Sequence, residues 1–195
     1  MISYKSKMEV ETAEDIFSEI NARQIAALMF HRQMADYFDF LSLHGYKRMH
    51  EYQYFAESKT NRKISRYYIN HHGRLLDDKF DGEIKVIPTA WMTANRMSVG
   101  KGTKQKAVED AFNEYREWES ETKECYEHYA KQLREIGSEA DALKIDCLVK
   151  DVDHELKMLD RIIIDLISAG YDMVYIVESQ CKLHDKYKKK IGGLF

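Results

Sequence analysis

The chain is poor in everything that interrupts a helix. Its 195 residues contain one proline and nine glycines. Inside a helix a glycine costs about 1 kcal/mol and a proline about 3 kcal/mol, so where these residues fall marks where helices end. Gly45, Gly73, Gly137 and Gly170 separate four stretches, 12–44, 46–72, 103–136 and 139–169, and Pro88 falls in the one extended connection, 73–102. Cysteine is scarce too. Cys125, Cys147 and Cys181 are widely spaced and form no CxxC pair, which argues against a disulfide framework and for reduced thiols in a cytoplasmic protein. No long apolar run is present: the richest stretch, 159–167, is broken by Asp160, Arg161 and Asp165. It falls far short of a membrane span, and the N-terminus lacks the apolar run of a signal peptide. A net charge of −3 provides no basic field to draw in nucleic acid. Neither a Ser/His/Asp arrangement, a phosphate-binding glycine loop nor zinc-finger spacing occurs.

What remains is helical periodicity. Thr12-Ala-Glu-Asp15 opens the first segment as an N-cap with acidic residues in the first turn. Its inward stripe runs Ala13, Phe17, Ile20, Gln24, Ala27, His31, Met34, Phe38 and Leu41, with Gln24 and His31 polar among apolar neighbours. The second segment presents Tyr46, His50, Gln53, Glu57, Thr60, Ile64, Tyr67 and His71, an unusually polar face for a core. The third carries Ala107, Ala111, Glu114, Trp118, Glu121, Cys125 and His128 at heptad spacing. The fourth, opened by Ser138-Glu-Ala-Asp141, has the cleanest apolar seam: Ile145, Val149, Val152, Leu156, Leu159, Ile163 and Leu166. Gly170 ends it, since a helix running on to residue 190 would be about 75 Å long; a further helix over 171–190 is expected to turn away. The stretch Gly82-Glu-Ile-Lys-Val-Ile-Pro88 is extended in character. A connection of this length suits a crossover between parallel helices, giving one domain that is an all-α four-helix bundle.

Two helices, a long crossover, two helices and a short fifth helix resemble the ferritin plan. Ile20-Asn21 followed by Tyr37-Phe38-Asp39 resembles the first helix of ferritins, Gly73-Arg74-Leu75 the exit from the second, and Val152-Asp-His-Glu155-Leu-Lys the fourth-helix stretch at the di-iron centre. His31 and His44 also give the first half a likeness to Dps-type mini-ferritins. The resemblance implies a site built from a Glu on each of two helices and a Glu-x-x-His on each of the other two. Here the first-helix carboxylate falls on Gln24. The second-helix pair falls on Glu57 and Thr60. The third-helix carboxylate is matched by Glu114, with Tyr115 the alternative register. The fourth-helix pair falls on Asp151 and His154, with Glu155 adjacent. The Dps-type acidic pair would fall near Lys59 and Lys63, reversing the sign of that site. A standard ferroxidase centre is therefore not expected.

The candidate ligands for iron, manganese or zinc are Glu57, Glu114, Asp151, His154, Glu155 and His31, within a wider polar set that includes His50, Glu121 and His128. The bland alternative is a buried hydrogen-bond network or a solvated face. If Glu57, Glu114 and Gln24 meet inside the bundle, something must neutralise the carboxylates: a metal ion, His31 or His50 as imidazolium, or a shared proton. His71-His72 reads as a dipole-compatible helix end, Cys125 and Cys147 as small core residues, and the basic stretches 101–106 and 182–190 as solvated helix ends. Tyr46, Tyr52, Tyr54, Phe55, Tyr67 and Tyr68 occupy more than one face of the second helix, which points to an oligomer or partner interface. The leading functional expectation is a self-associating ferritin-like bundle without ordinary iron-storage chemistry. The alternatives are a di-metal oxidase with a rearranged ligand set and a bacterial or phage protein-binding module on the same scaffold.

Overall fold

The structure, a computed structural model, describes residues 4–77, 80, 82, 84, 86, 87, 91 and 94–193. Glu83, Lys85 and Pro88 of the expected extended connection lie outside the described residues. Five α-helices are present among those described: α1 (Ala13–Phe40), α2 (His44–His72), α3 (Lys101–Glu135), α4 (Glu139–Ser168) and α5 (Met173–Gly192). Arg96–Ser98 form a short 3₁₀ turn ahead of α3. None of these helices is long and apolar enough to cross a membrane.

Local chemistry sets the ends. The Thr12 side chain caps α1 by accepting from the Asp15 amide, and Asp172 caps α5 by accepting from the Val174 amide. Gly73 closes α2 in the left-handed region at φ 66°, where a side chain would be strained. Gly45 behaves differently from the expected breaker. The α1–α2 corner is made by Leu41–Leu43, with Ser42 at φ 60°, and Gly45 lies inside the first turn of α2.

Pairwise contacts give the directions of the helices. Asn61–Asn21, His31–His50 and Phe38–Tyr46 run in opposite order along α1 and α2, so that pair is antiparallel. Tyr46 meets Phe112 and Gln53 meets Tyr115, which makes α2 and α3 parallel. Tyr67–Asp141 and Gln53–Glu155 make α4 antiparallel to α2. The connection between α2 and α3 follows α1 along the bundle. The Asp77 carbonyl accepts from Asn21, Gln33 binds both the Ile84 carbonyl and the Val86 amide, and Trp91 packs edge-on against Tyr37 and Phe40. This is the crossover that a parallel second and third helix require.

Helix α5 folds back along the outside of α2. Tyr46 Oη bonds Ser179 Oγ at 2.9 Å and Tyr52 packs on Tyr187 with ring centroids 5.4 Å apart. Two of the aromatic residues that suggest an external interface are therefore covered by the chain itself. At Gly45 the two helices touch backbone to backbone: a Cβ there would lie 1.7 Å from the Gln180 carbonyl oxygen, and the Gly45 amide donates to Gln180 Oε1 at 2.6 Å. Tyr187 is buried, and removal from water holds its phenol up at about 12. Of the three free thiols only Cys125 is a core residue; Cys147, expected inside, is exposed.

Replacement Gly45→Ala is expected to lift α5 off α2 and cost about 1–3 kcal/mol, the range for overpacking a close contact. Hydrogen exchange checks it: amides of α5 should lose protection before those of α1–α4. Unchanged α5 protection in a variant of normal stability would rule out this close packing.

Candidate functional site

A polar layer crosses the middle of the bundle and divides the apolar core in two. One cluster holds Phe30, Phe38, Tyr46, Phe112, Trp118, Leu159 and Leu166; the other holds Phe17, Ile20, Ile64, Tyr129, Leu133, Ile145 and Leu148. Between them α1 contributes Arg23, Gln24 and His31, α2 contributes His50, Gln53, Glu57 and Thr60, α3 contributes Tyr115, Glu119 and Thr122, and α4 contributes Asp151 and Glu155. Spacings of three, four and seven residues put most of these side chains on the inward faces, with Arg23 beside Gln24 and Asp151 at the exposed edge of the layer. Within this layer Arg23, Gln24, Glu57, Thr60, Glu119, Thr122, Asp151 and Glu155 line a cavity of about 40 Å³, closed also by Ala27, Trp118, Tyr126, Leu148 and Val152. That is room for an ion or one or two waters.

Sequence and structure differ most on α3. Glu119 supplies the inward carboxylate and is 4 % exposed, whereas Glu114 is half-buried and outside the cavity lining. Glu121 reaches Arg23 at 3.8 Å, and His128 Nε2 bonds the Met8 carbonyl oxygen at 2.8 Å. The cause is register. At about 3.6 residues per turn Glu114, Glu121 and His128 form a row about 100° around α3 from Tyr115, Glu119, Thr122 and Tyr126, so a template set one residue off selects the flank and not the inward face. On α4 His154 is exposed and takes no place in the site. Glu57 and Glu155, both half-buried, and the exposed Asp151 line the cavity, and His31 lies beside it, fully buried.

The hydrogen bonds order part of the layer. Tyr115 Oη and Gln53 Nε2 both donate to Glu155 Oε1, and Gln53 Nε2 lies 3.1 Å from Tyr115 Oη. Arg23 is 1 % exposed and is held by Thr122 Oγ1 at 2.9 Å and the Trp118 carbonyl at 3.2 Å, with its guanidinium 4.4 Å from the Trp118 ring centroid. Among the described residues it is the one guanidinium on the cavity wall, set against four carboxylates. His31 and His50 place their Nδ1 atoms 3.0 Å apart, and His31 Nε2 stands 4.0 Å from Glu119 Oε1. Two buried polar atoms of the layer have no hydrogen-bond partner, Gln24 Oε1 and His31 Nε2.

Electrostatics narrows the ways of neutralising this layer. Burial lowers the His31 pKa to about 3, and burial together with His31 holds His50 well below its ordinary range. Neither ring is an imidazolium at neutral pH. The carboxylates move the other way. Desolvation, then Glu155 and Asp151, push Glu57 up to about 8; desolvation, then Glu155 and Glu57, push Glu119 well above the usual range, against a smaller opposing pull from Arg23. Glu155 is also raised by burial, partly offset by its bonds from Tyr115 and Gln53. What remains is a shared proton or a bound cation.

The donor set fits a metal ion but not the two Glu-x-x-His pairs. Four carboxylates, the orphan amide oxygen of Gln24 and the hydroxyls of Thr60 and Thr122 form an oxygen-rich shell suited to a hard divalent ion. Thr60 stands three residues after Glu57, where an imidazole would be needed, and His154, three after Asp151, is exposed.

No protein-family model matches the chain, and no curated protein matches it. Among solved structures it is similar to a ferritin of Archaeoglobus fulgidus engineered into a closed form, with TM-score 0.71 and 17% identity over 93% of this chain and 97% of that one. It is likewise similar to the open-pore ferritin of the same archaeon, with TM-score 0.71 and 15% identity over 88% and 94% of the two chains. At these identities it is the fold that is shared.

The titration of the layer predicts a direction for stability. Folded Glu57 keeps its proton to about pH 8, while the unfolded chain releases it near 4.5, so the native state binds more protons between those values and loses stability as pH rises. Neutral His31 works oppositely, costing stability as pH falls from 6.5 toward 3. Above pH 6.5 only the carboxylate effect remains. In chelator-treated protein the Tm is expected to fall from pH 6.5 to 8, and Glu57→Gln to flatten part of that fall, with Glu119 and Glu155 accounting for the rest. Thermal melts across this range check it; a level profile in the parent protein would put the Glu57 carboxyl in solvent.

Proposed function

We propose, on the premise of this ferritin-like fold, that the protein binds a divalent metal ion in the middle of its bundle through Glu57, Glu119, Asp151 and Glu155. The observation that carries this reading is the unpartnered Gln24 Oε1, buried in a cavity whose walls already hold four carboxylates and a single guanidinium. An oxygen acceptor with no donor, placed among anions, is unfavourable by several kcal/mol on the scale of buried charges unless a cation sits between them. Iron and manganese match this hard shell, and either supplies one-electron redox chemistry when bound. The chain's own groups hold the shell in place. Tyr115 and Gln53 fix Glu155, Trp118 and Thr122 fix Arg23, and the two apolar clusters exclude water from both sides.

With a threonine three residues after Glu57 and His154 turned to solvent, the reading is a rearranged metal centre and not ordinary iron storage. Self-association belongs to the same reading. It is supported by apolar side chains left exposed on α4 and α5, Ile164, Ile167, Val174 and Val177, and by Tyr54 on α2, which α5 does not cover. Light scattering on the purified chain tests it.

Titration with Mn(II) or anaerobic Fe(II), followed by calorimetry and elemental analysis, tests the metal site. Saturating ion is expected to raise the Tm by several degrees at pH 7–8. Glu119→Gln should weaken binding at least tenfold while raising the Tm of the metal-free protein, because it removes a carboxyl that folding must either protonate or bury charged. A metal-free Tm unchanged by Glu119→Gln, together with unchanged affinity, would overturn the assignment.

A further inference from the structure

His31 is the buried group that the oxygen-lined cavity does not use. It does not line that cavity, since seven residues, roughly 10 Å of helix, separate it from Gln24. Its Nε2 nevertheless points at the same layer: ligand atoms of His31, Glu119 and Glu155 all lie within 4.8 Å of one another. Two metal–ligand bonds of about 2.1 Å each span roughly 4.2 Å, so small side-chain shifts bring these three donors onto one ion. His31 is fully buried, and its Nε2 has no hydrogen-bond partner, with Glu119 Oε1 beyond bonding range at 4.0 Å.

We propose that His31, Glu119 and Glu155 hold a second divalent ion, displaced along the bundle from the oxygen-lined position, with Glu119 and Glu155 shared between the two. The inference rests on the reading above, that the polar layer takes up cations, and adds a position with a nitrogen ligand supplied by α1. Surrounding contacts prepare His31 for that role. With the single ring proton of the His31–His50 contact on His31 Nδ1, His31 donates to His50 Nδ1 at 3.0 Å and its Nε2 lone pair faces the carboxylates. Metal-binding histidines commonly donate their other N–H in this way, which fixes the tautomer and the ring plane. Phe30 and Tyr115 pack edge-on to the ring at 5.3 and 5.2 Å. Glu155 Oε1 is held by Tyr115 and Gln53. A lone pair facing a carboxylate repels it, and a cation between them reverses the sign. One imidazole and two carboxylates select first-row transition ions over calcium or magnesium, which take all-oxygen shells.

Cobalt(II) is a suitable probe, because calorimetry counts equivalents and proton NMR shows a strongly shifted, exchangeable imidazole N–H when a histidine ligates it. The parent protein is expected to bind two equivalents per chain and to show one such signal that excess calcium does not remove. His31→Gln should bind one equivalent and lose the signal; Glu57→Gln should keep the signal and lose the other equivalent. Two equivalents with an unchanged spectrum in His31→Gln would overturn the second site and leave the first reading standing. So would the absence of any shifted N–H in the parent protein when its bound ion is lost in Glu57→Gln. A single equivalent that survives Glu57→Gln and Asp151→Asn but vanishes in His31→Gln would support this site and overturn the oxygen-lined one. No binding by the parent protein overturns both. The parent spectrum is decisive by itself if the His31 variant does not fold.

Discussion

Four carboxylates drawn into one cavity by three helices are the constraint around which this bundle is arranged. Glu57, Glu119, Asp151 and Glu155 face a space of about 40 Å³ with Arg23 as the one guanidinium on its wall. Charges of one sign at such separations inside a poorly polarisable core repel strongly, and their pKa directions record it: each of Glu57, Glu119 and Glu155 is pushed toward its neutral form. Apolar packing on both sides makes the arrangement possible. The clusters around Phe38 and Tyr46 at one end and around Phe17 and Tyr129 at the other clamp the four helices, so the polar layer cannot relax by splaying them apart. Stability is concentrated at the ends and chemistry at the middle.

The histidine pair shows how position within this layer decides the role of a residue type. In solution both rings would titrate near neutrality. Here burial keeps them neutral, and each ring's neighbour is the other ring and not a carboxylate within bonding distance. They therefore add ligand atoms without adding positive charge, so Arg23 and protons on the carboxyls are what the protein itself sets against the layer's charge. Tyr115 joins the two halves of the layer: its ring packs edge-on to His31 and tilted against His50 while its hydroxyl donates to Glu155.

Helix α5 is held by shape more than by polarity. Backbone contact at Gly45 and the aromatic pair Tyr52–Tyr187 need close approach, which only a missing Cβ at Gly45 allows. This packing covers part of the aromatic surface of α2 and leaves exposed apolar residues on α4 and α5 as the surface available to other molecules.

The helical plan was legible in the chain because breakers act locally. Gly73, with no Cβ to strain, takes a left-handed conformation at the end of α2, and the Thr12 hydroxyl caps α1. The inward positions Gln24, His31, His50, Gln53 and Glu57 were readable from spacing on α1 and α2. On α3 the reading failed at Glu114, since a heptad template does not say which of two neighbouring rows faces inward, and only packing against the other helices fixes the true face. His154 was misplaced for a related reason: a Glu-x-x-His template places two residues on one face, whereas α4 presents Asp151 and Glu155, four apart, to the cavity. Gly45 looked like punctuation and turned out to be a contact, which no local signal distinguishes. Sequence alone thus determined where helices start and stop and that polar residues interrupt the core, because these depend on backbone chemistry and periodicity. Tertiary structure alone decided which carboxylates meet, that Glu119 is one of them, and that Gln24 Oε1 and His31 Nε2 are left without partners, because those facts depend on the rotation of each helix against the others.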